Sequence, residues 1–292
     1  MFKGSMAAII TPMHEDGSID EQALRNLVEW HIKNKTDAII ATGTTGESVT
    51  LDADELFAVN QIVVKQAAGR IPVIAGTGSN NTKTVIKLSQ DAKRAGVDAL
   101  LIVTPYYNKP TQNGLYAHYK MIAEQVDLPI ILYNVPSRTA CDILPETVER
   151  LAKIKNIIGI KEATGKVERA QEILQRTGLD FAIYSGDDAT ALELIQHGAR
   201  GVISVTANVA PRKMHDMCAA ALANNMVLAE QLNNELMPLH KQLFLESNPI
   251  PTKWALQTMG LIKAGIRLPL LPLDSKYHQD VKLAMKTAGV IP

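Results

Sequence analysis

Eight short apolar runs recur along this chain, and each starts 20 to 35 residues after the one before it. The runs are apolar at nearly every position rather than at alternate positions, which is typical of parallel strands buried on both faces. Segments with helical spacing separate them, as in a chain of repeated strand–helix units. The runs begin near Ala7, Ala38, Val73, Ala99, Pro129, Ile157, Phe181 and Gly201.

Helix signals occupy the intervals between the runs. After Asp20, the residues facing the core follow a helical spacing at Leu24, Leu27, Val28, His31 and Ile32. Asp52 with Glu55 predicts a capping box, Gly96 and Gly198 stand where helices end, and Pro145 suits a first helical position. Eight strand–helix units predict a (β/α)₈ barrel, a TIM barrel of class α/β. An open doubly wound sheet is the alternative, but closure leaves no exposed edge.

The chain continues well beyond the eighth run, which ends near Ser204. A leucine series at helical spacing follows, with Pro238 as an expected kink. We therefore predict two parts, a catalytic barrel over residues 1–224 and a C-terminal helical extension over residues 225–292. The leucines are Leu228, Leu232, Leu236, Leu239 and Leu243.

Charge and cysteine content exclude several classes of protein. The 30 basic and 30 acidic residues give a formal charge of zero and are interspersed, so neither a nucleic-acid footprint nor a basic membrane stripe is present. No apolar run could span a bilayer. Cys141 and Cys218 lie far apart, which argues against a disulfide framework and indicates a reducing compartment. We expect a cytoplasmic protein that binds neither nucleic acid nor membranes.

Polar residues follow the predicted strands at their carboxyl ends, where TIM barrels place functional groups. This clustering predicts the site. The segments are Gly43-Thr44-Thr45-Gly46-Glu47, Gly76-Thr77-Gly78, Thr104-Pro105-Tyr106-Tyr107-Asn108, Tyr133-Asn134-Val135-Pro136-Ser137-Arg138, Lys161-Glu162-Ala163-Thr164 and Ser185-Gly186-Asp187-Asp188.

Lys161 ends the sixth strand and is the candidate nucleophile. With a period of two, Ile157, Gly159 and Lys161 share one face. If that face points inward, Gly159 leaves room beside the lysine stem. Burial disfavours the ammonium and lowers a lysine pKa, and a neutral amine can attack a carbonyl. The strand pattern alone does not exclude two alternatives, in which the Lys161 side chain extends to solvent or pairs with Glu162.

Three further segments could bind or move groups of a substrate. The turn with Thr44 and Thr45 can present N–H groups and hydroxyls to a carboxylate, or it is an ordinary glycine turn. The Tyr133 hydroxyl could shuttle protons, or the ring only packs at the barrel rim. The Arg138 guanidinium suits a carboxylate, or it is a surface arginine.

Metal and cofactor signatures are missing from the sequence. The seven histidines are scattered and form no H-E-x-x-H pair. The 76–81 segment lacks the third glycine of a dinucleotide fingerprint. Asp187 and Asp188 could bind a cation, but we expect Asp188 to cap the helix that contains Leu192 and Ile195. We predict neither a metal nor an organic cofactor.

Taken together, the strand ends resemble the dihydrodipicolinate synthase family of pyruvate-dependent class I aldolases. The likeness extends in order from about Phe2 to the C-terminal helices. Its motifs are Gly43-Thr44-Thr45-Gly46-Glu47, Thr104-Pro105-Tyr106-Tyr107-Asn108, Tyr133-Asn134-Val135-Pro136-Ser137-Arg138-Thr139, Gly159-Ile160-Lys161-Glu162-Ala163-Thr164-Gly165, Ser185-Gly186-Asp187-Asp188 and Asn248-Pro249-Ile250-Pro251.

The resemblance implies an enzyme that condenses pyruvate with aspartate semialdehyde, on the route to diaminopimelate and lysine. It implies an imine between Lys161 and pyruvate, and a homotetramer built as a dimer of dimers. It also implies a role for each site residue: Tyr133, Thr44 and a neighbouring subunit's copy of Tyr107 as a proton relay, Thr45 on the pyruvate carboxylate, Arg138 on the semialdehyde carboxylate, and the backbones of Gly186 and Ile203 lining the site.

Two alternatives and one departure accompany the resemblance. Sialic acid lyase and keto-deoxy-sugar-acid aldolases are similar, but generally lack an arginine at the place of Arg138. A barrel that only binds a keto acid would lack a relay member, and none is missing. Lysine-inhibited members bind lysine through two histidines and a glutamate, whereas this chain has Ala53, Leu56 and Thr84 there and keeps Ser48, Asn80 and Tyr106. We therefore expect weak or absent inhibition by lysine.

Overall fold

Eight parallel strands close into a barrel in the computed structural model, which describes residues 2–292. Each strand pairs with the next, and β8 returns to β1 through the pair Met6 and Ile203. The predicted α/β barrel is confirmed, and the alternative of an open doubly wound sheet is wrong. The strands are β1 (Gly4–Ala8), β2 (Ala38–Ala41), β3 (Val73–Gly76), β4 (Ala99–Val103), β5 (Ile130–Asn134), β6 (Ile157–Glu162), β7 (Ala182–Ser185) and β8 (Gly201–Ser204).

Helices follow the strands and continue past β8 as a C-terminal extension of α10 to α12. They are α1 (Glu21–Lys33), α2 (Ala53–Ala67), α3 (Thr82–Ala95), α4 (Gln112–Gln125), α5 (Pro136–Thr139), α6 (Pro145–Leu151), α7 (Val167–Thr177), α8 (Ala191–Gln196), α9 (Pro211–Leu222), α10 (Met226–Gln242), α11 (Ile250–Thr258) and α12 (His278–Thr287). Pro238 lies inside α10, which continues through it. The predicted boundary between residues 224 and 225 falls in the turn before α10, and the division into two parts stays a prediction.

Three of the predicted helix starts are confirmed. The Asp20 side chain accepts a hydrogen bond from the Ala23 amide at the start of α1. Asp52 and Glu55 form the reciprocal capping box of α2. Pro145 is the first residue of α6. Such local hydrogen bonds satisfy amides that a helix start leaves without partners, so the start can be read from sequence.

Side chains of the strands fill two apolar layers, as expected for strands buried on both faces. Ile39 and Ala41 point outward and pack under the helices. Ile40 points inward, where Met6 and Tyr184 also lie. Within residues 2–292, no helix combines the length and apolarity that a membrane crossing requires.

Two details of the strands differ from the prediction. β1 begins at Gly4 rather than near Ala7, because the Asp37 carboxylate accepts a hydrogen bond from the Ser5 amide at 2.7 Å and holds the polar start of the strand. In β6, Ile130 pairs with Ile157 but Ile131 pairs with Gly159, so the register shifts.

The register shift in β6 breaks the period of two. Ile157 and Ile160 both pack in the outer apolar layer. Gly159 and Lys161, on either side of Ile160, therefore face the barrel interior. The prediction that Ile157 shares their face was wrong, because a bulge inserts one residue and reverses the faces before it. The inward direction of Lys161 is unaffected.

Candidate active site

A cavity of about 670 Å³ opens at the carboxyl ends of the strands. Its walls are the ends of the strands and the loops after them, together with residues 244–248, which lead into α11. Six of the eight predicted site residues line it: Thr44, Thr45, Tyr133, Arg138, Lys161 and Gly186. The topology brings them together because parallel strands of a barrel end at one rim.

Lys161 is buried in the cavity wall, with 5% of its surface exposed. It lies between Tyr133 of β5 and Tyr184 of β7, and its Nζ is 4.3 Å from the centroid of the Tyr133 ring. Within residues 2–292, no carboxylate oxygen is within 4.0 Å of this nitrogen. The lysine does not reach out to solvent, so that alternative is wrong.

Glu162 is occupied elsewhere and does not pair with Lys161. One carboxylate oxygen accepts a hydrogen bond from the Thr164 amide at 2.8 Å, and the other accepts one from Asn134 Nδ2 at 3.1 Å. Burial raises the pKa of this carboxyl group, and the hydrogen bonds oppose the increase. The strand's alternation turns the two neighbouring side chains to opposite faces, which leaves the amine free in the cavity.

Two glycines lie near Lys161, and the role predicted for Gly159 belongs to Gly186. A Cβ at Gly159 would collide with the backbone of Ala182 in β7, so this glycine permits close strand packing. A Cβ at Gly186 would lie 3.0 Å from Cε of Lys161 and still closer to Ala163. Gly186 therefore leaves the space for the lysine stem, and the prediction that assigned this to Gly159 was wrong.

Residues 43–47 form a tight turn, here called the 43–47 turn, above the end of β2. Its Gly46 amide donates to the Gly43 carbonyl at 3.1 Å, and Glu47 has a left-handed backbone with φ of 57°. Within the described chain, the amides of Thr44 and Thr45 donate to no backbone carbonyl. Two such N–H groups beside a cavity can bind an anion such as a carboxylate.

Asn248 joins two of the predicted residues and was itself missed as a site residue. Its Nδ2 donates to Thr45 Oγ1 at 2.9 Å, and its carbonyl accepts from Arg138 Nη2 at 3.4 Å. The side chain is buried and lines the cavity. The available signal was the Asn248-Pro249-Ile250-Pro251 motif, which has no chemistry of its own.

Tyr107 and Ile203 do not line the cavity. Tyr107 lies in the loop after β4 with φ of 74° and is 88% exposed. Ile203 packs its side chain inside the barrel. Their predicted roles involve a second subunit and a backbone group, respectively, and both stay predictions.

The aspartates after β7 hold protein backbone. Asp188 Oδ2 accepts hydrogen bonds from the Val205 and Thr206 amides, each at 2.9 Å, and so ties this loop to the end of β8. It does not cap α8, so that prediction was wrong; Asp187 Oδ1 accepts from the Thr190 amide at 3.1 Å. Across residues 2–292, no three His, Cys, Asp or Glu side chains are grouped to hold a metal ion.

Comparisons with known proteins agree with this geometry. The sequence model of the Dihydrodipicolinate synthetase family matches residues 1–288. The chain is 60% identical to the 4-hydroxy-tetrahydrodipicolinate synthase of Ectopseudomonas mendocina over 291 residues, covering 100% of both chains. The corresponding protein of Pseudomonas aeruginosa is 58% identical, again with 100% of both covered.

Solved structures show the same fold. The chloride-inhibited dihydrodipicolinate synthase from Acinetobacter baumannii, complexed with pyruvate, is 54% identical with a TM-score of 0.98, and the match covers 100% of both chains. A dihydrodipicolinate synthase variant described as the first monomeric one is 41% identical with a TM-score of 0.97, over 99% of this chain and 98% of that one.

Proposed function

Because this chain belongs to the dihydrodipicolinate synthetase family, we propose that it condenses pyruvate with L-aspartate 4-semialdehyde to 4-hydroxy-tetrahydrodipicolinate. It is an enzyme, and this reaction is the first committed step of diaminopimelate and lysine biosynthesis. The observation that carries the proposal is Lys161, a buried amine that faces the cavity without a carboxylate partner.

The proposed reaction begins with the Lys161 amine. It attacks the pyruvate ketone and loses water to form an imine. The imine accepts electrons, so the pyruvate methyl group releases a proton and becomes an enamine. The enamine carbon bonds to the aldehyde carbon of the second substrate. The amine of that substrate then displaces Lys161 from the imine carbon, which closes the ring and regenerates the enzyme.

We assign the other residues by what surrounds the amine. Tyr133, whose ring contacts Lys161, moves protons together with Thr44. Thr45 and the free amides of the 43–47 turn bind the pyruvate carboxylate. Arg138, at the cavity wall, binds the carboxylate of the semialdehyde. The backbones of Gly186 and Ile203 complete the site. No metal or organic cofactor has a step in this scheme.

We further propose that the enzyme is a homotetramer in which a neighbouring subunit's copy of Tyr107 completes the proton relay. Support comes from the exposure of this large aromatic side chain, which protrudes from the loop after β4. Sedimentation of the purified enzyme tests the assembly. A Tyr107→Trp variant that loses both activity and the tetramer would agree, and a fully active monomer would contradict it.

A cytoplasmic location is also part of the proposal. Both cysteines, Cys141 and Cys218, are free thiols buried in the protein. Free thiols are typical of proteins in a reducing compartment. Cell fractionation tests this assignment.

Resistance to lysine completes the proposed function. Ala53, Leu56 and Thr84 replace the residues that supply polar partners in lysine-inhibited members. A lysine ammonium therefore finds no carboxylate at these positions. Activity should stay near its starting value as lysine is added at neutral pH. An inhibition constant in the submillimolar range would contradict this.

One substrate comparison tests the function. The enzyme is supplied with pyruvate and either aspartate semialdehyde or N-acetylmannosamine, and pyruvate consumption is measured. We expect turnover with the semialdehyde alone. Turnover with the sugar alone would instead identify a sialic acid lyase, and turnover with neither would contradict the proposed condensation.

A further inference from the structure

A second buried lysine, Lys253 of α11, lies behind the 43–47 turn. It is 5% exposed and forms an ion pair with the Glu47 carboxylate, which is 2% exposed. Lys253 Nζ also donates to the Gly265 carbonyl at 2.8 Å. Gly265 itself packs directly against the backbone of Met13 and His14, so the ammonium is attached to a fixed part of the protein.

The Glu47 carboxylate is held from the C-terminal extension on two sides. Besides Lys253, the Arg267 amide donates to its Oε2 at 3.2 Å. The Arg267 guanidinium continues to Glu55 with two hydrogen bonds, at 2.7 and 2.5 Å, and to the Thr50 carbonyl at 2.7 Å. These contacts clamp both the end of the turn and the start of α2.

Stability alone is a poor explanation for a buried ion pair. Removing two charges from water costs much of what their attraction returns, and apolar pairs of the same size are often as stable. What a buried pair does supply is a defined orientation. Glu47 needs one, because its left-handed backbone is unfavourable for a residue with a Cβ.

The orientation of Glu47 is transmitted directly to the cavity. The Glu47 amide donates to the Thr44 carbonyl at 3.1 Å, so the two residues close the same turn. The free amides of Thr44 and Thr45 belong to that turn. Burial lowers the pKa of Lys253, whereas the Glu47 carboxylate favours the ammonium and opposes the decrease.

We propose that Lys253 is a positioning residue for the keto-acid carboxylate. Through Glu47 it holds the 43–47 turn in the shape that aims the Thr44 and Thr45 amides into the cavity. Lys253 does not touch the substrate. The inference rests on the function proposed above, because the turn that Lys253 holds is the proposed binding site of the pyruvate carboxylate.

The test compares two variants with the parent. Lys253→Met removes the cation, and Glu47→Gln combined with Lys253→Met removes both charges. We expect the pyruvate KM to rise about tenfold in both variants, because small displacements of binding groups are costly. kcat should change less, and Lys161 should still be trapped by borohydride at saturating pyruvate. Tm should fall in the single variant and recover in the double variant.

Recovery separates positioning from folding. If the pyruvate KM of the double variant returns to the parent value together with Tm, the pair is structural and the proposal is overturned. A double variant that does not fold overturns it as well, because the pair is then a folding element. If only the single variant fails to fold, the pyruvate KM of the double variant decides between a positioning role and a purely structural one.

Two controls isolate the proposal from other failures. Lys213→Met breaks an ion pair with Glu235, 2.6 Å long, between α9 and α10 and away from the cavity. Its pyruvate KM should equal that of the parent. The parent itself must be trapped by borohydride with pyruvate. Absence of trapping in the parent contradicts the proposed function. If the parent is trapped but the pyruvate KM of both Lys253 variants is unchanged, only the role of Lys253 is contradicted.

Discussion

The end of β6 and the middle of α11 each bury a lysine, and both lysines are 5% exposed. Their surroundings differ. Lys253 of α11 has the Glu47 carboxylate and a backbone carbonyl as partners. Lys161 of β6 faces the cavity beside the ring of Tyr133, with no carboxylate within ion-pair distance in residues 2–292.

The difference shows how one residue type serves two purposes at the same depth. A nucleophilic lysine must be able to release its proton, and a carboxylate in contact with it opposes that release. A lysine that only holds structure benefits from the same carboxylate, because a buried charge without a partner is costly. Burial alone therefore does not distinguish a reactive lysine from a structural one, whereas the partner does.

The largest expected effect separates the two lysines by activity. Lys161→Met should lower kcat by at least about 10³-fold, because within residues 2–292 no other lysine lines the cavity and could form the imine there. Lys253→Met should keep most of kcat. Steady-state rates at saturating substrates measure both. Parent-like turnover in Lys161→Met would remove the distinction between the two regions.

The second effect is on stability and has the opposite order. Lys253→Met should lower the free energy of unfolding by about 3–5 kcal/mol, because it leaves the buried Glu47 charge without its partner. Lys161→Met should change it little or increase it, because it removes a buried amine that has no carboxylate partner. Urea denaturation of both variants gives the two values. Equal losses would mean that Lys161 is also a structural cation.

The third effect concerns Arg138, an exposed cation at the same cavity. Arg138→Ala should raise the KM for aspartate semialdehyde by about 10- to 100-fold, the range expected for lost hydrogen bonds to a charged group. Imine formation with pyruvate should persist, because the Lys161 environment is intact. An unchanged KM for the semialdehyde would show that Arg138 is a surface arginine held by Asn248.

The smallest effect extends the comparison to a buried base outside the cavity. His31 of α1 bonds to the Thr36 hydroxyl at 2.9 Å, and burial lowers its pKa to about 3. The unfolded chain takes up this proton near pH 6.5, so stability falls as the pH decreases from there towards 3.

His31→Gln should lessen that loss by about 1.4 kcal/mol for each pH unit below 6.5. Denaturation of parent and variant at pH 7.5 and 5.5 measures the difference, and the shared contribution of other histidines cancels. Identical pH dependence would mean that His31 is charged in the folded protein.

The barrel is predictable from the sequence because each of its strands is buried on both faces. Burial on both faces leaves a continuous apolar run, and eight such runs with helices between them match one closed topology. The start of β1 was not predictable in this way. Gly4 and Ser5 are not apolar, and the strand there depends on a hydrogen bond to Asp37, which directly precedes β2.

The site was predictable to the extent that the topology gathers strand ends. Lys161 and Tyr133 follow from this rule. Gly186 follows from it as well, because it directly follows β7. Asn248 and Lys253 do not, because their contacts join distant parts of the chain; Asn248 and Thr45, for example, are 203 positions apart. No local pattern marks such pairs. The bulge in β6 was missed for a related reason, since its register depends on the pairing with β5.

Reductive trapping shows directly which lysine forms the imine with pyruvate. The enzyme is incubated with pyruvate, treated with borohydride and digested, and the modified peptide is identified by mass. Because Lys161 and Lys253 are buried to the same degree, each serves as the control for the other. We expect a pyruvate-derived adduct on Lys161 and an unmodified Lys253. An adduct on Lys253, or no adduct on either lysine, would contradict the assignment of Lys161 as the imine-forming residue.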